Sequence, residues 1–397
     1  MPVIISEEAL RPKGATIEHQ VPPTPPSERR QEPQPPASSW RTFVRRAWWV
    51  VFPLAFGVEQ WLKQSSDPAR PSATAPQTSH AAQDPTSCTK RWCAVEPEEG
   101  FRESVYSVWG RSDGDVWLAA SNRLLHFDGL RWTTYPIKGV SKLHGTRSGE
   151  VWALGWEDHG DTGRQFVLRW DGSDWNPVDL DIKQGLKRGE KVDLYAVWAS
   201  GADDTWIAAE ATSETSSRLM LFHRNDENWT TTSPKGLDIS PRAMWGSSPE
   251  DIWIVGMAEY RKSAAVHWDG NRWRPGTGAV VGQSVLLTLT DVWGRDPADV
   301  WAAGPGGAIV HWDGTTWTQT PSHTTESLHG IWGLADGSVW AVGNKETLIR
   351  WNGTAWGAVA GAQPAARPMT AHLNALWGNA TTLWTAGTFG RLLWYQP

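Results

Sequence analysis

The sequence predicts an all-β protein, a seven-bladed β-propeller of four-stranded antiparallel blades, closed by an N-terminal strand that completes the last blade. Three observations predict it. Of 397 residues, 30 are Trp against 8 Phe and 5 Tyr, a skew that points to a repeated structural position. The tryptophans recur at fixed spacings in seven successive copies of one formula. Each complete copy divides into four short runs rich in Val, Ile, Trp and Thr, separated by Gly, Pro and Asp, the pattern of strands in a meander.

The clearest copy, residues 290–319, reads TDVWGRDPADVWAAGPGGAIVHWDGTTWTQ. Aligning the copies gives four columns. The first is Trp109, His144, Trp198, Trp245, Trp293, Trp332 and Trp377. The second is Trp117, Trp152, Trp206, Trp253, Trp301, Trp340 and Trp384. The third is Phe127, Trp170, Arg224, Trp268, Trp312, Trp351 and Trp394. The fourth is Trp132, Trp175, Trp229, Trp273, Trp317 and Trp356. Asp128-Gly129, Asp171-Gly172, Asp269-Gly270, Asp313-Gly314 and Asn352-Gly353 mark a tight turn before the fourth run. A single four-stranded sheet cannot bury both faces, and radial stacking of seven does.

The seventh copy stops before its fourth run. Arg91-Trp92-Cys93-Ala94-Val95 resembles Arg131-Trp132-Thr133-Thr134-Tyr135 and precedes the first full copy. It is expected to supply the missing strand and leave no open sheet edge between first and last blades. With Trp92 the columns account for 25 tryptophans; Trp40, Trp48, Trp49 and Trp61 lie near the N-terminus, and Trp156 is left over.

By these motifs residues 88–397 resemble the Trp-rich β-propeller repeats of exported bacterial proteins. More distantly they are similar to Asp-box (BNR-type) and tectonin-like lectin propellers. The H-W-D-G-x-x-W run is one residue tighter than the Asp-box pattern S-x-D-x-G-x-x-W. What the resemblance implies is the propeller fold.

The first 87 residues differ in kind. Residues 1–46 begin with a Pro-rich, mixed-charge tail, nine prolines among the first 39 residues, and are expected to be disordered. Residues 47–62 carry an uncharged stretch, Ala47 to Val58, behind Arg41, Arg45 and Arg46. The basic flank orients residues 1–46 to the cytoplasm. A signal-anchor, a cleaved export signal (Ala55-Phe56-Gly57 has small-x-small spacing) and a surface-lying segment are three readings of it. All place the protein at or across a membrane, with the propeller extracytoplasmic or, after cleavage, secreted. Residues 63–87 read as a flexible linker. Cys88 and Cys93 are the only cysteines. A five-residue step along a strand is about 16 Å, so pairing them requires a bend.

The net charge of −6 supplies no basic field for nucleic acid. No nucleophile elbow, zinc-protease helix, P-loop or calcium loop occurs, and the sequence implies no cofactor and no metal. The column of His126, His223, His267 and His311 is filled by Arg169, Arg350 and Leu393 in other copies, which reads as scaffold. The acids Asp115, Glu150, Asp204, Asp251 and Asp299, two residues before the second-column Trp, are expected to accept bonds from turn amides.

Function is sought where the repeat is irregular. In a propeller the turns joining strands one–two and three–four lie on one face, and the remaining loops on the other. Second-to-third column distances on that other face run 10, 18, 18, 15, 11, 11 and 10 residues. Variable loops on a rigid scaffold are where binding resides. The candidate ligand-binding residues are Trp156, Asp158, His159, Asp161 and Arg164 in blade two, with Tyr260 and Arg261 in blade four. The expected function is a non-catalytic, monomeric binding module that recognises a protein or glycan through this face. A structural scaffold of an envelope assembly is the alternative, and a glycoside hydrolase ranks below both.

Overall fold

The computed structural model describes residues 77–81 and 92–396, apart from 158–163, 184, 202, 227, 259–263, 279–286, 360–370 and 381. Two strands precede the repeats, β1 (Gln77–Ala81) and β2 (Trp92–Ala94). Blade one holds β3 (Val105–Ser112), β4 (Asp115–Ala120), β5 (Leu124–Phe127) and β6 (Arg131–Tyr135). Blade two holds β7 (Val140–Gly145), β8 (Val151–Glu157), β9 (Arg164–Trp170) and β10 (Trp175–Pro177). Blade three holds β11 (Lys191–Gly201), β12 (Asp204–Thr212), β13 (Ser217–Asn225) and β14 (Asn228–Thr232).

Blade four holds β15 (Ile239–Ser248), β16 (Asp251–Ala258), β17 (Ala265–Trp268), β18 (Trp273–Pro275) and the short β19 (Leu287–Thr288), which pairs with the end of β16. Blade five holds β20 (Asp291–Asp296), β21 (Asp299–Ala303), β22 (Ile309–Trp312) and β23 (Trp317–Gln319). Blade six holds β24 (Leu328–Gly333), β25 (Val339–Gly343), β26 (Leu348–Trp351) and β27 (Trp356–Ala358). Blade seven is β28 (Leu373–Gly378), β29 (Leu383–Gly387) and β30 (Leu392–Tyr395), completed by β2. The inner strands β3, β7, β11, β15, β20, β24 and β28 adjoin one another in order, and β28 returns to β3. The ring has seven blades and is closed.

Two features depart from the sequence reading. Within the segment read as linker, β1 runs antiparallel to β6 and adds a fifth strand to blade one. In blade seven Trp384 pairs with Trp394 and Leu383 with Tyr395, whereas in blade five Trp301 pairs with His311 and Val300 with Trp312. Trp394 therefore takes the His position and Tyr395 the third column, one residue later than the sequence alignment set them. The Trp at 394 misled that alignment, because it occupies the position that holds His or Arg in the other blades; Tyr395 is correctly placed by its pairing with Trp92 of β2.

The columns are inter-blade joints. Each second-column Trp meets the fourth-column Trp of the next blade edge-on. Trp117 meets Trp175 at 90°, Trp152 meets Trp229 at 84°, Trp206 meets Trp273 at 77° and Trp253 meets Trp317 at 88°. Trp301 meets Trp356 at 76°, Trp340 meets Trp92 at 74° and Trp384 meets Trp132 at 79°. An aromatic edge is positive and its face negative, so this arrangement adds about 0.5–1.5 kcal/mol per pair beyond area burial. Seven such contacts circle the ring.

The first column explains the glycine that follows it. A Cβ on Gly145, Gly246, Gly294, Gly333 or Gly110 would lie within 2.1–2.7 Å of the first-column Trp of the preceding blade. Where that aromatic is the smaller His144, blade three carries Ala199 instead of Gly, and the His144 Nε2 lies 3.3 Å from the Ala199 carbonyl oxygen.

The column histidines hold the acids. His126, His223, His267 and His311 each place Nε2 2.6–2.7 Å from Asp115, Asp204, Asp251 and Asp299 respectively. Each imidazole also stacks on its second-column Trp, at 3.8–4.3 Å between centroids. In blades two and six Arg169 takes Glu150, and Arg350 takes Asp336 at 2.9 Å, with each guanidinium over the indole. The expectation that these acids serve turn amides is thus corrected. Turn amides are served by the Asp-Gly carboxylates: Asp128 Oδ1 accepts from Leu130 and Arg131 amides at 2.8 and 2.7 Å. The backbone amides of Asp174 and Ser173 in the same way hold Asp171 down to about 2.

Candidate binding face

The loop variation of the sequence is largely strand extension. In blade three β12 and β13 each run nine residues, and in blade two β8 and β9 run seven. The matching pairs in blades five, six and seven have five and four. Blades two and three therefore rise above the rest on the variable face, as does blade four with its eight-residue β16. In blades five, six and seven the same connection is a tight turn, with Gly306 and Gly307, Lys345 and Glu346, and Phe389 and Gly390 in the left-handed region.

Of the seven candidate residues, two are described. Trp156 sits near the tip of β8 opposite Gln165, 36% exposed. Arg164 opens β9 opposite Glu157 and is exposed. Asp158, His159, Asp161, Tyr260 and Arg261 lie outside the described residues. Cys93 is buried and disulfide-bonded, and Cys88, the one other cysteine, lies outside them too. So does the segment 47–62; among the described residues no helix is long and apolar enough to cross a membrane. No group of three or more His, Cys, Asp or Glu among them is placed to hold a metal ion.

From Trp156 a connected set of polar groups runs inward. Gln165, its cross-strand partner, donates from Nε2 to Asp193 Oδ1 at 2.9 Å and accepts the Leu194 amide at 2.5 Å. Next to Leu194 is Tyr195, whose ring lies under the Arg242 guanidinium, 4.6 Å from Cζ to centroid. Arg242 also donates to the Pro241 carbonyl at 2.9 Å. Behind them Glu210 is buried and accepts from the Ser240 hydroxyl at 2.6 Å. Burial first, then Glu210 and Asp193, push the Tyr195 hydroxyl up against the opposing pull of Arg242, so it stays a neutral donor.

The inner strands carry further charges beside this set. Lys142 of β7 is close enough to Asp291 of β20 and to Arg242 of β15 for both to alter its ionisation. Burial pushes Lys142 down and Asp291 up, the latter to about 6. His329 of β24 is also pushed down by burial, and Lys142 adds to that. The mouth of the channel over blades two to four thus gathers an exposed indole, a stacked Tyr–Arg pair, carboxylates and a shielded lysine.

Tyr195, Arg242, Asp193 and Glu210 were not among the sequence candidates. A signal for two of them was present. The residue three before the first column reads Tyr106, Ser141, Tyr195, Arg242, Thr290, His329 and Asn374, polar in every copy of an otherwise apolar strand. In six blades it falls at a register shift of the inner strand or beside one, and bulges re-aim side chains.

No protein-family model and no curated protein matches the sequence. Solved structures do match in fold. YCF48 from Cyanidioschyzon merolae aligns at 14% identity with a TM-score of 0.55, over 78% of this chain and 99% of its own. A catalytically inactive variant of virginiamycin B lyase from Staphylococcus aureus, with quinupristin, aligns at 15% identity and 0.58, over 77% and 99%. YCF48 bound to D1 peptide aligns at 15% and 0.53, over 78% and 96%. At these identities the likeness is one of fold.

Proposed function

We propose that this protein is a non-catalytic propeller that recognises an extended protein segment at the mouth of its channel over blades two to four. The observation that carries the reading is the stacked Tyr195–Arg242 pair, reached from exposed Trp156 through Gln165 and Asp193. An indole with a partly shielded guanidinium suits a peptide bearing one apolar and one acidic group, the pairing of aromatic and arginine that dominates protein hot spots. The peptide complex of YCF48, a propeller of the same fold, lends support. That another neighbour is a lyase shows how little fold alone says of chemistry.

The reading extends to a tether: residues 47–62 anchor the chain, with the propeller extracytoplasmic. Alkaline extraction of membranes and protease protection of residues 77–397 test that part. Recognition itself is tested by photo-crosslinking the full chain in its native envelope fraction, wild type against Trp156→Ala with Arg242→Gln. A partner captured by the wild type and lost from the double variant supports the reading. Binding on a glycan array with no protein captured would replace it with lectin activity.

A further inference from the structure

The outer edges of the blades are not alike. Five outer strands, β2, β10, β18, β23 and β27, have three residues each. Only β6 and β14 have five. The edge of β6 is occupied, because β1 pairs with it through Gln77 opposite Thr134, His80 opposite Trp132 and Ala81 opposite Arg131. Among the described residues no strand pairs with the outer edge of β14.

The space beside the two strands also differs. In blade one Tyr135, the last residue of β6, packs its ring against Trp117 of its own blade and Trp170 of the next. The corresponding residue of β14 is Thr232. Its short side chain leaves a groove of about 350 Å³ between blades three and four, lined by Trp206, His223, Thr230, Thr232, Trp268 and Trp273. Trp206 and Trp268 are the counterparts of the two tryptophans that Tyr135 covers.

We propose that β14 takes an extended peptide as an added antiparallel strand, with one aromatic side chain of that peptide seated in the groove where blade one seats Tyr135. The chain's own β1 on β6 shows that a five-residue outer strand of this propeller accepts such an addition. Backbone bonds supply the affinity and a side-chain pocket the selection. The register fits. Thr230 pairs with His223, which pairs with Trp206, so these three share a face. A guest residue opposite Thr230 shares that face and points over the groove. This site lies on the rim, apart from the channel mouth, and stands independently of the function proposed above.

The probe is the heptapeptide acetyl-Thr-Val-Thr-Phe-Thr-Val-Thr amide with the full-length protein. Binding is read by titration calorimetry, and location by hydrogen exchange of the amides in 228–232. Expected are protection confined to that strand and affinity at least about tenfold weaker for the Phe-to-Ala peptide, about 1.4 kcal/mol. Alternate N-methylation of the peptide, which removes its donors, is expected to abolish binding. The variant Thr232→Tyr, which copies blade one, is expected to close the groove and weaken binding equally. The peptide changes test the site even if that variant folds poorly. No binding up to millimolar peptide, or binding indifferent to both the aromatic ring and N-methylation, overturns the proposal. So does cellotetraose entering the groove while the peptide does not, since the groove is then a sugar platform.

Discussion

Trp92 meets Trp340 edge-on, with ring centroids 5.7 Å apart and planes at 74°. The N-terminal strand β2 thus joins the sixth blade to the seventh. The same indole tilts against Tyr395 at 4.9 Å, so one residue closes both a sheet and an inter-blade joint.

Trp92→Ala is therefore expected to cost about 3–5 kcal/mol, the range for emptying a buried aromatic site. A thermal melt checks it. The loss is expected to match that of Trp301→Ala in the uninterrupted blade five, because both sit in the same set of edge-on contacts. A shift of a degree or two would mean that the N-terminal strand does not close the ring.

His144 and Ala199 are expected to be exchangeable only together. His144→Trp alone drives an indole into the Ala199 methyl, as the close approach of Trp198 to Gly246 in the next pair indicates. Ala199→Gly alone leaves a gap beside a small ring. The double variant rebuilds the arrangement of the other blades, and its melting point is expected above that of His144→Trp. The cycle's coupling should fall in the range of about 0.5–3 kcal/mol seen for touching residues.

The blades were legible in the sequence because each column does the same job seven times, and a repeated steric demand leaves a repeated letter. Tryptophan spacing carried strand order and closure, whereas the reason for the Gly after the first column needed the neighbouring blade. The blade-seven register was not legible: a Trp at the His position looks like the column Trp until Tyr395 is seen across from Trp92. The acids were misread because their partners lie on another strand, eleven to nineteen residues away. Of the proposed face, one part drew notice in the sequence and another did not. Trp156 stood out as the residue that the repeat did not use, while Tyr195 and Arg242 were hidden inside strands that looked like scaffold.

His311 is expected to tolerate Arg and reject Leu. Arginine already fills this position in blades two and six, pairing with the local acid and covering the indole. Although burial raises the Asp299 carboxyl, bonds from His311 and Trp301 bring it below its usual range. Leucine removes one of those donors and leaves a half-buried carboxylate short of a partner, a loss of about 1–3 kcal/mol. Equal melting of His311→Leu and His311→Arg would show that the stacked ring, not the ion pair, is what the column preserves.

Two half-buried groups impose opposite pH dependences. Burial holds His144 down to about 4 from the usual 6.5. The unfolded chain takes up a proton below about 6.5 that the folded chain refuses, so stability falls as pH drops toward 4. Asp291 is held up to about 6 by burial; the folded chain keeps a proton that the unfolded one releases near 4, so stability falls as pH rises from about 4 to 6. His144→Gln should therefore leave the Asp291 slope, and Asp291→Asn the His144 slope. Denaturation midpoints of the two variants between pH 4 and 6.5 are expected to diverge in opposite directions from wild type; parallel curves would mean that neither group is shielded as described.

The last test separates the binding face from the frame beneath it. Trp156, 36% exposed, stands on the variable face, while Leu130, 79% exposed, tops the Asp128-Gly129 turn on the opposite one. Leu130 stands mostly in water, while Trp156 keeps about a third of its surface there; neither belongs to the buried core, so Leu130→Ala should change stability by less than about 0.5 kcal/mol and Trp156→Ala should leave the ring folded. Their effects on recognition should differ. If the ligand lies across blades two to four, Trp156→Ala removes an anchor beside the Gln165–Asp193 contact and should reduce partner capture at least about tenfold, a hot-spot-sized loss. Leu130→Ala should leave capture unchanged. The outcome that sinks the assignment is specific: capture lost with Leu130→Ala and kept with Trp156→Ala would move the ligand to the constant face, where the turns are nearly identical from blade to blade.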